Sequence, residues 1–214
     1  MSNFFSMYGQ MLVRSILIHL EYVVISVAVG FVLGLVLGIL LSRLPPKFSA
    51  VILPILSIFQ TVPGIVFIGL LFLWIGMIPA TAIIALSVYA MFPVLKNTYT
   101  GIEQVPAGYC EAAVGCGMTS TQVLMRVELP LAMPTIIGGL RMSTVYTISW
   151  AVLSSMIGLG GLGDFIYQGV SSNNNTLIIA GAIPAAIMAV LAGALIDRVQ
   201  KKVVPRGLRK EASK

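Results

Sequence analysis

Charge is what this sequence has least of. Only 9% of its 214 residues are charged and 58% are hydrophobic, whereas a soluble domain carries about 25% charged residues. That shortage excludes an ordinary water-soluble domain and makes a bilayer the expected solvent. Cysteine is nearly absent too. Cys110 and Cys116 are not spaced C-x-x-C, and no histidine lies beside them to complete a zinc site, so two small buried or interfacial thiols are expected. No G-x-x-x-x-G-K-[ST] occurs, which excludes ATP binding through a P-loop in this chain. No Asp, Glu, Lys, Arg or His stands in the middle of a long apolar run, which argues against a proton relay or a voltage sensor. Nor does any such run hold a catalytic Ser/His set, paired Asp or metal ligands, which sets aside an intramembrane enzyme. Residues 1–10 lack the basic start and small-residue cleavage site of a signal peptide, so insertion through the chain's own first span is expected.

The charge that is present lies mostly at one end. The formal net charge is +6, and Arg198, Lys201, Lys202, Arg206, Arg209, Lys210 and Lys214 form a basic tail over residues 198–214 directly after an apolar run. Such a tail is a cytoplasmic anchor beside anionic membrane lipid. No aromatic residues interleave with it to stack on bases, so nucleic acid is not an expected partner.

The apolar runs divide into about five spans in one domain, 1–214, with no internal repeat. Residues 1–21 mix Arg14, His19 and Glu21 with apolar neighbours, as in an amphipathic leading helix at the interface, continuous with a first span at 18–42. His19 and Glu21 are two apart and share no helical face, so His19 is expected at the interface rather than as a ligand. Gly30, Gly34 and Gly38 recur every four residues, a stripe that lets helices approach closely. It fits packing against the chain's own helices better than against a partner's. Residues 48–95 are uncharged and too many for one crossing; Gly76 and Pro79 punctuate them into spans at 52–75 and 80–96. Gln60 and Thr61 fall inside the first of these beside Pro63 and are expected to face the bundle interior. The fourth span is 142–163, rich in hydroxyls that suit hydrogen bonds between helices, and the fifth is 177–196 with Pro184 as a kink. With this count, twelve of the thirteen basic residues fall on one side and only Arg14 opposite. The positive-inside rule then puts the N-terminus outside and the C-terminus in the cytoplasm.

The polar insert, 97–141, is the stretch that addresses water. Pro106 suits the start of a helix and Gly117 its end. Between them Gly108, Glu111, Ala112 and Gly115 fall at i, i+3, i+4 and i+7, one face of very small residues around a single carboxylate. Thr119 with Gln122 fits a capping box for a second short helix whose expected end is Pro130. Two short helices at a bend suit insertion into a partner's groove; a surface hairpin with no partner fits equally.

The same insert carries a resemblance. Glu-Ala-Ala, a Gly six residues after the Glu, and Leu-Pro twelve and thirteen after that Gly resemble the EAA loop of ABC importer permeases. The positions here are Glu111, Ala112, Ala113, Gly117, Leu129 and Pro130, with Val127 where that family usually has Ile. The likeness covers roughly residues 18–205. With Asn97-Thr98-Tyr99-Thr100-Gly101 and Gly158-Leu159-Gly160-Gly161-Leu162-Gly163-Asp164, it is most similar to permeases for glycine betaine, carnitine or choline. A methionine-type or other small-solute permease is the nearest alternative, and an ATP-independent channel or membrane scaffold the alternative of another class. The resemblance implies a type I ABC importer permease fold, an all-α integral membrane protein with a cytoplasmic coupling-helix loop, in the bacterial cell membrane. It further implies that Glu111, Ala112, Ala113, Gly117, Val127, Leu129 and Pro130 dock on a separate ABC ATPase subunit, which binds ATP and Mg. This chain is then a transport subunit rather than an enzyme and has no cofactor of its own. A second permease subunit, identical or homologous, and an extracytoplasmic solute-binding protein complete the implied assembly.

Two further groups bear on passage. Gly158, Gly160, Gly161 and Gly163 satisfy G-x-G-x-x-G as text, but they follow a membrane span and residues 179–187 offer no acid, so a dinucleotide site is excluded. With Asp164 they read as an outer-face turn, part of a gate or of a contact with the solute-binding protein; a purely structural tight turn fits equally. A quaternary ammonium is attracted to aromatic faces, which makes Tyr146 and Trp150, with Gln60 and Thr61, candidates for the pathway wall. Packing of both rings against neighbouring helices is the competing reading.

Overall fold

The computed structural model describes residues 2–204, and among them every regular element is a helix. Arg206, Arg209, Lys210 and Lys214 of the basic tail lie outside the described residues. Helix α1 (Ser2–Ser42) runs unbroken because nothing before Pro45 interrupts it; the segment with Arg14, His19 and Glu21 is continuous with the span. His19 is not interfacial but buried, at 1% exposure.

Helices α2 (Pro46–Phe59) and α3 (Gly64–Ile75) stand where one span, 52–75, was expected. Pro63 has no N–H to continue α2 and steers Val62 out of helical backbone, so the crossing is broken at residues 60–63. Helix α4 (Pro79–Glu103) follows a turn in which Gly76 has φ +96°. It leads to α5 (Ala107–Gly115) and α6 (Ser120–Val123).

The next helix corrects two boundaries. A π-helical turn, Leu124–Glu128, joins α6 to α7 (Leu129–Ser154), so helix is continuous over Ser120–Ser154 rather than starting near 142. Pro130 does not end a helix; it occupies the first turn of α7, where the wider π turn has already displaced the backbone ladder and a missing N–H costs little. A second π turn, Ser155–Leu159, closes α7 short of 163 and leads to α8 (Leu162–Ser171) and α9 (Asn175–Val203), which contains Pro184. Among the described residues, four helices are long and apolar enough to cross a membrane: Ser6–Ser42, Pro79–Glu103, Ser120–Ser154 and Asn175–Val203.

Packing follows from small residues. A methyl group on Gly30 would lie 2.6 Å from Ala90 Cβ, on Gly34 2.6 Å from the Met91 carbonyl oxygen, and on Gly38 2.6 Å from Thr98 Cβ. The glycine stripe is therefore where α1 meets α4 of the same chain. Phe165, Ile68 and Leu86 are fully buried, but many other large apolar side chains point outward, Leu73, Trp74 and Val190 among them, while the hydroxyls of Ser26, Thr81, Thr98 and Ser143 are fully buried. Apolar outside and hydroxyl inside is the arrangement a hydrocarbon solvent favours. The α7 hydroxyls mostly serve their own helix, as Thr144 on the Leu140 carbonyl and Thr147 on that of Ser143 show; Ser143 itself donates across to the Ala90 carbonyl of α4 at 2.7 Å.

Candidate functional site: a projecting loop and an aromatic cleft

The loop between α4 and α7 is built to project. Pro106 sets the start of α5 with φ −60° and ψ 130°. Gly117 ends it with φ +81°, its N–H reaching the Val114 carbonyl at 2.8 Å while Met118 N–H reaches that of Ala113 at 3.1 Å. This is the left-handed exit that favours glycine. Thr119 and Gln122 then form the reciprocal capping box, with Thr119 N–H to Gln122 Oε1 at 2.8 Å.

The faces of α5 are unequal. Gly108, Glu111, Ala112 and Gly115 are exposed, and a methyl on Gly108, Gly115 or Gly117 would meet nothing within 4 Å. Ala113, three residues from Cys110, is buried at 8% exposure and forms the inner face. Val127, Leu129 and Pro130 are half-buried at the root of α7. The structure thus gathers the motif residues into one loop, with Glu111, Ala112 and Gly117 at its outer surface and Ala113 beneath.

An ion pair ties this loop to α1. Arg43, in the turn after α1, makes a two-pronged contact with Glu128, with Nη1 at 3.3 Å from Oε1 and Nη2 bonded to Oε2. Glu128 is buried at 8% exposure, and the Cys110 thiol of α5 donates to its Oε1 at 3.8 Å. Burial, and secondarily the Glu128 carboxylate, pushes that thiol up from its ordinary pKa. Three elements therefore meet at one carboxylate: the end of α1, the inner face of α5 and the π turn leading into α7. A lone Arg and Glu 85 residues apart in sequence give no local signal of this.

The second region is a cleft of about 300 Å³ at the α2–α3 break, lined by Gln60, Tyr89, Pro93, Tyr146, Thr147 and Trp150. Tyr146 and Trp150 are one turn apart on α7. The indole lies directly on Gly64, so that any Cβ there would overlap it. Tyr89 of α4 stacks on Trp150 with ring centroids 4.0 Å apart and planes at 32°, and donates its hydroxyl to the Val62 carbonyl at 2.8 Å. It thereby satisfies a carbonyl at the break. Tyr89 was not expected from the sequence, since one tyrosine in an apolar run is indistinguishable from core. Gln60 lines the cleft but is exposed rather than enclosed within the bundle. Thr61 does not line it: it too is exposed, and its hydroxyl donates back to Ile58 at 2.6 Å.

At the other end of α7 the glycine-rich turn is closely packed. Gly158, Gly160 and Gly161 have φ of +90°, +78° and +119°, and a Cβ on Gly163 would overlap the Val152 carbonyl oxygen. Gly163 N–H donates to Ser155 Oγ at 3.1 Å, and Tyr22 of α1 donates its hydroxyl to Leu159 at 2.9 Å. Conformation and contact account for all four glycines. Asp164, in the first turn of α8, is half-buried, which raises its carboxyl pKa.

Comparison with known proteins places this architecture. Residues 30–209 match the family described as binding-protein-dependent transport system inner membrane component. The carnitine transport permease protein OpuCB of Listeria monocytogenes is 36% identical over 97% of this chain and 94% of its own length. The glycine betaine/carnitine/choline transport system permease protein OpuCB of Bacillus subtilis is 38% identical over 89% of this chain and 88% of its own. The osmoprotectant import permease protein OsmW of Salmonella typhimurium is 34% identical over 89% and 91%. Among solved structures, an inward-facing form of the MetNI methionine ABC transporter matches at a TM-score of 0.83 and 25% identity, covering 92% of this chain and 98% of that one. On the strength of that sequence match, this chain belongs to the inner-membrane permease components of binding-protein-dependent ABC importers.

Proposed function

We propose that this chain is the permease subunit for quaternary ammonium osmoprotectants, of the glycine betaine, carnitine and choline type, in an importer driven by a separate ATPase. The ATPase subunit binds ATP and Mg, a second permease, identical or homologous, completes the pathway, and an extracytoplasmic protein delivers the solute. The C-terminus and the α4–α7 loop lie in the cytoplasm and the N-terminus outside, as the distribution of basic residues favours.

The observation that carries this reading is the α5 surface. A short helix with a glycine- and alanine-rich outer face and one carboxylate, bound at its inner face to α1 and α7 through Glu128, is suited to seat in a groove and move the spans with it. Closure of the ATPase pair pushes Glu111, Ala112 and Gly117, and the Arg43–Glu128 junction passes the displacement to α1 and α7. The solute type is supported by the uncharged aromatic cleft and by the names of relatives at 34–38% identity; the methionine alternative rests on likeness of fold at 25% identity. The packed turn carrying Gly158, Gly160, Gly161, Gly163 and Asp164 closes the outer end of the pathway and borders the surface where the solute-binding protein docks.

The test is uptake of radiolabelled glycine betaine, choline and carnitine into proteoliposomes holding this chain with its ATPase and binding protein. ATP-dependent uptake of at least one is expected. No uptake of any, with ATP hydrolysis intact, would discard the quaternary ammonium reading.

A further inference from the structure

The cleft at the α2–α3 break combines three properties. First, it lies partway along a broken crossing. At 1.5 Å per residue α2 and α3 extend only about 21 Å and 18 Å, so neither crosses roughly 30 Å of hydrocarbon alone and their junction falls within it. Breaks of that kind at depth are tolerated where they line a cavity, and transporters place substrate sites there.

Second, the wall contains no charged side chain, only Gln60, Pro93, Thr147 and three aromatic rings. Third, the rings are held by dedicated contacts. Trp150 rests on Gly64, a place no larger residue allows. Tyr89 braces Trp150 by stacking, and Phe67 meets Tyr89 edge-on with centroids 5.5 Å apart at 78°. Tyr146 is half exposed beside them, so its ring is available to a guest.

We propose that this cleft is a transit site for the trimethylammonium end of the solute, an inference that rests on the quaternary ammonium reading above. Tyr146 offers its ring face to the cation, with the part of the Trp150 indole that Tyr89 does not cover beside it, and the Gln60 side-chain amide donates to the carboxylate or hydroxyl at the other end of the solute. Tyr89 is a positioning residue: its hydroxyl is committed to Val62 and its ring fixes the indole. A quaternary ammonium has no N–H to donate, so it needs no acceptor, and attraction to a ring favours its binding by roughly two- to thirtyfold. That is strong enough to guide a cation and weak enough to release it, as transport requires. A volume of about 300 Å³ is at the lower end of ligand pockets and suits one compact solute.

The experiment measures binding of radiolabelled choline to the purified permease–ATPase complex without solute-binding protein. Competitors are unlabelled choline and its neutral isostere, in which carbon replaces nitrogen. The wild-type complex should bind choline about tenfold or more tightly than the isostere, the order expected of cation–ring attraction. Trp150→Leu and Tyr146→Leu should each erase that preference, and Trp150→Phe should retain most of it. If Trp150→Leu does not assemble, Tyr146→Leu and Trp150→Phe decide. A wild-type complex that imports choline yet binds none, or binds the isostere equally, overturns the site, as do leucine variants that keep the preference. A wild-type complex that imports none of the three solutes refutes the proposed function instead.

Discussion

Gly64 has room for a hydrogen and for nothing larger, because the Trp150 indole occupies the position of a side chain there. Gly69, on the same helix, has nothing within 4 Å of a Cβ. Alanine at the two positions therefore separates packing from helix propensity. Gly69→Ala should be neutral or gain up to about 1 kcal/mol, whereas Gly64→Ala should lose about 1–3 kcal/mol by overpacking. Thermal melting of the purified complexes reads the difference, and equal melting temperatures would mean that Trp150 is not seated as described. The glycines of α1 were legible in the sequence because a four-residue repeat has one physical meaning in a membrane helix. Tyr89 was not, because what distinguishes it is a carbonyl freed 27 residues away. Gln60 and Thr61 were legible as polar groups at depth, but the direction each faces depends on where Pro63 breaks the helix.

At the level of elements, α5 should show two faces to a reagent. Cys116 is exposed beyond the end of α5, whereas Cys110 is half-buried and donates to Glu128, its pKa pushed up by burial and secondarily by that carboxylate. The thiolate is the reactive form. A maleimide near neutral pH should thus label Cys116 rapidly and Cys110 slowly, and docking of the ATPase should slow Cys116 further. Equal labelling of the two, unchanged by the ATPase, would contradict the orientation of α5. The junction behind it makes its own prediction. Arg43→Glu and Glu128→Arg each place like charges together around a buried position and should abolish transport, while the double exchange should restore part of it. If the double variant is no better than the singles, the pair is not the link between α1 and the loop. Sequence pattern reveals the capping box at Thr119 and the exit at Gly117, since both depend on residues within about five positions of one another. It does not reveal the π turns, which no composition marks, so sequence alone ends a helix at Pro130 and opens the next span at 142 where the structure has continuous helix over Ser120–Ser154.

Across the whole molecule, a projecting loop is joined to helices packed through glycine and hydroxyl groups, with an uncharged cleft beside a broken crossing. The all-helical class and the permease family were legible because charge scarcity and a long motif of fixed spacing are global features. The broken crossing was not, because an apolar run does not tell a continuous helix from two short ones. If the α5 surface passes the work of a partner ATPase to the spans, Gly117→Asp should break that link. Within this chain an aspartate there meets no neighbour and strains the left-handed backbone by about 1–2 kcal/mol, so folding and insertion should survive. ATP-dependent uptake into proteoliposomes, compared at equal membrane content, should fall to background in Gly117→Asp while the wild type transports. Uptake at the wild-type rate by a well-inserted Gly117→Asp complex would mean that α5 does not link the ATPase to the spans.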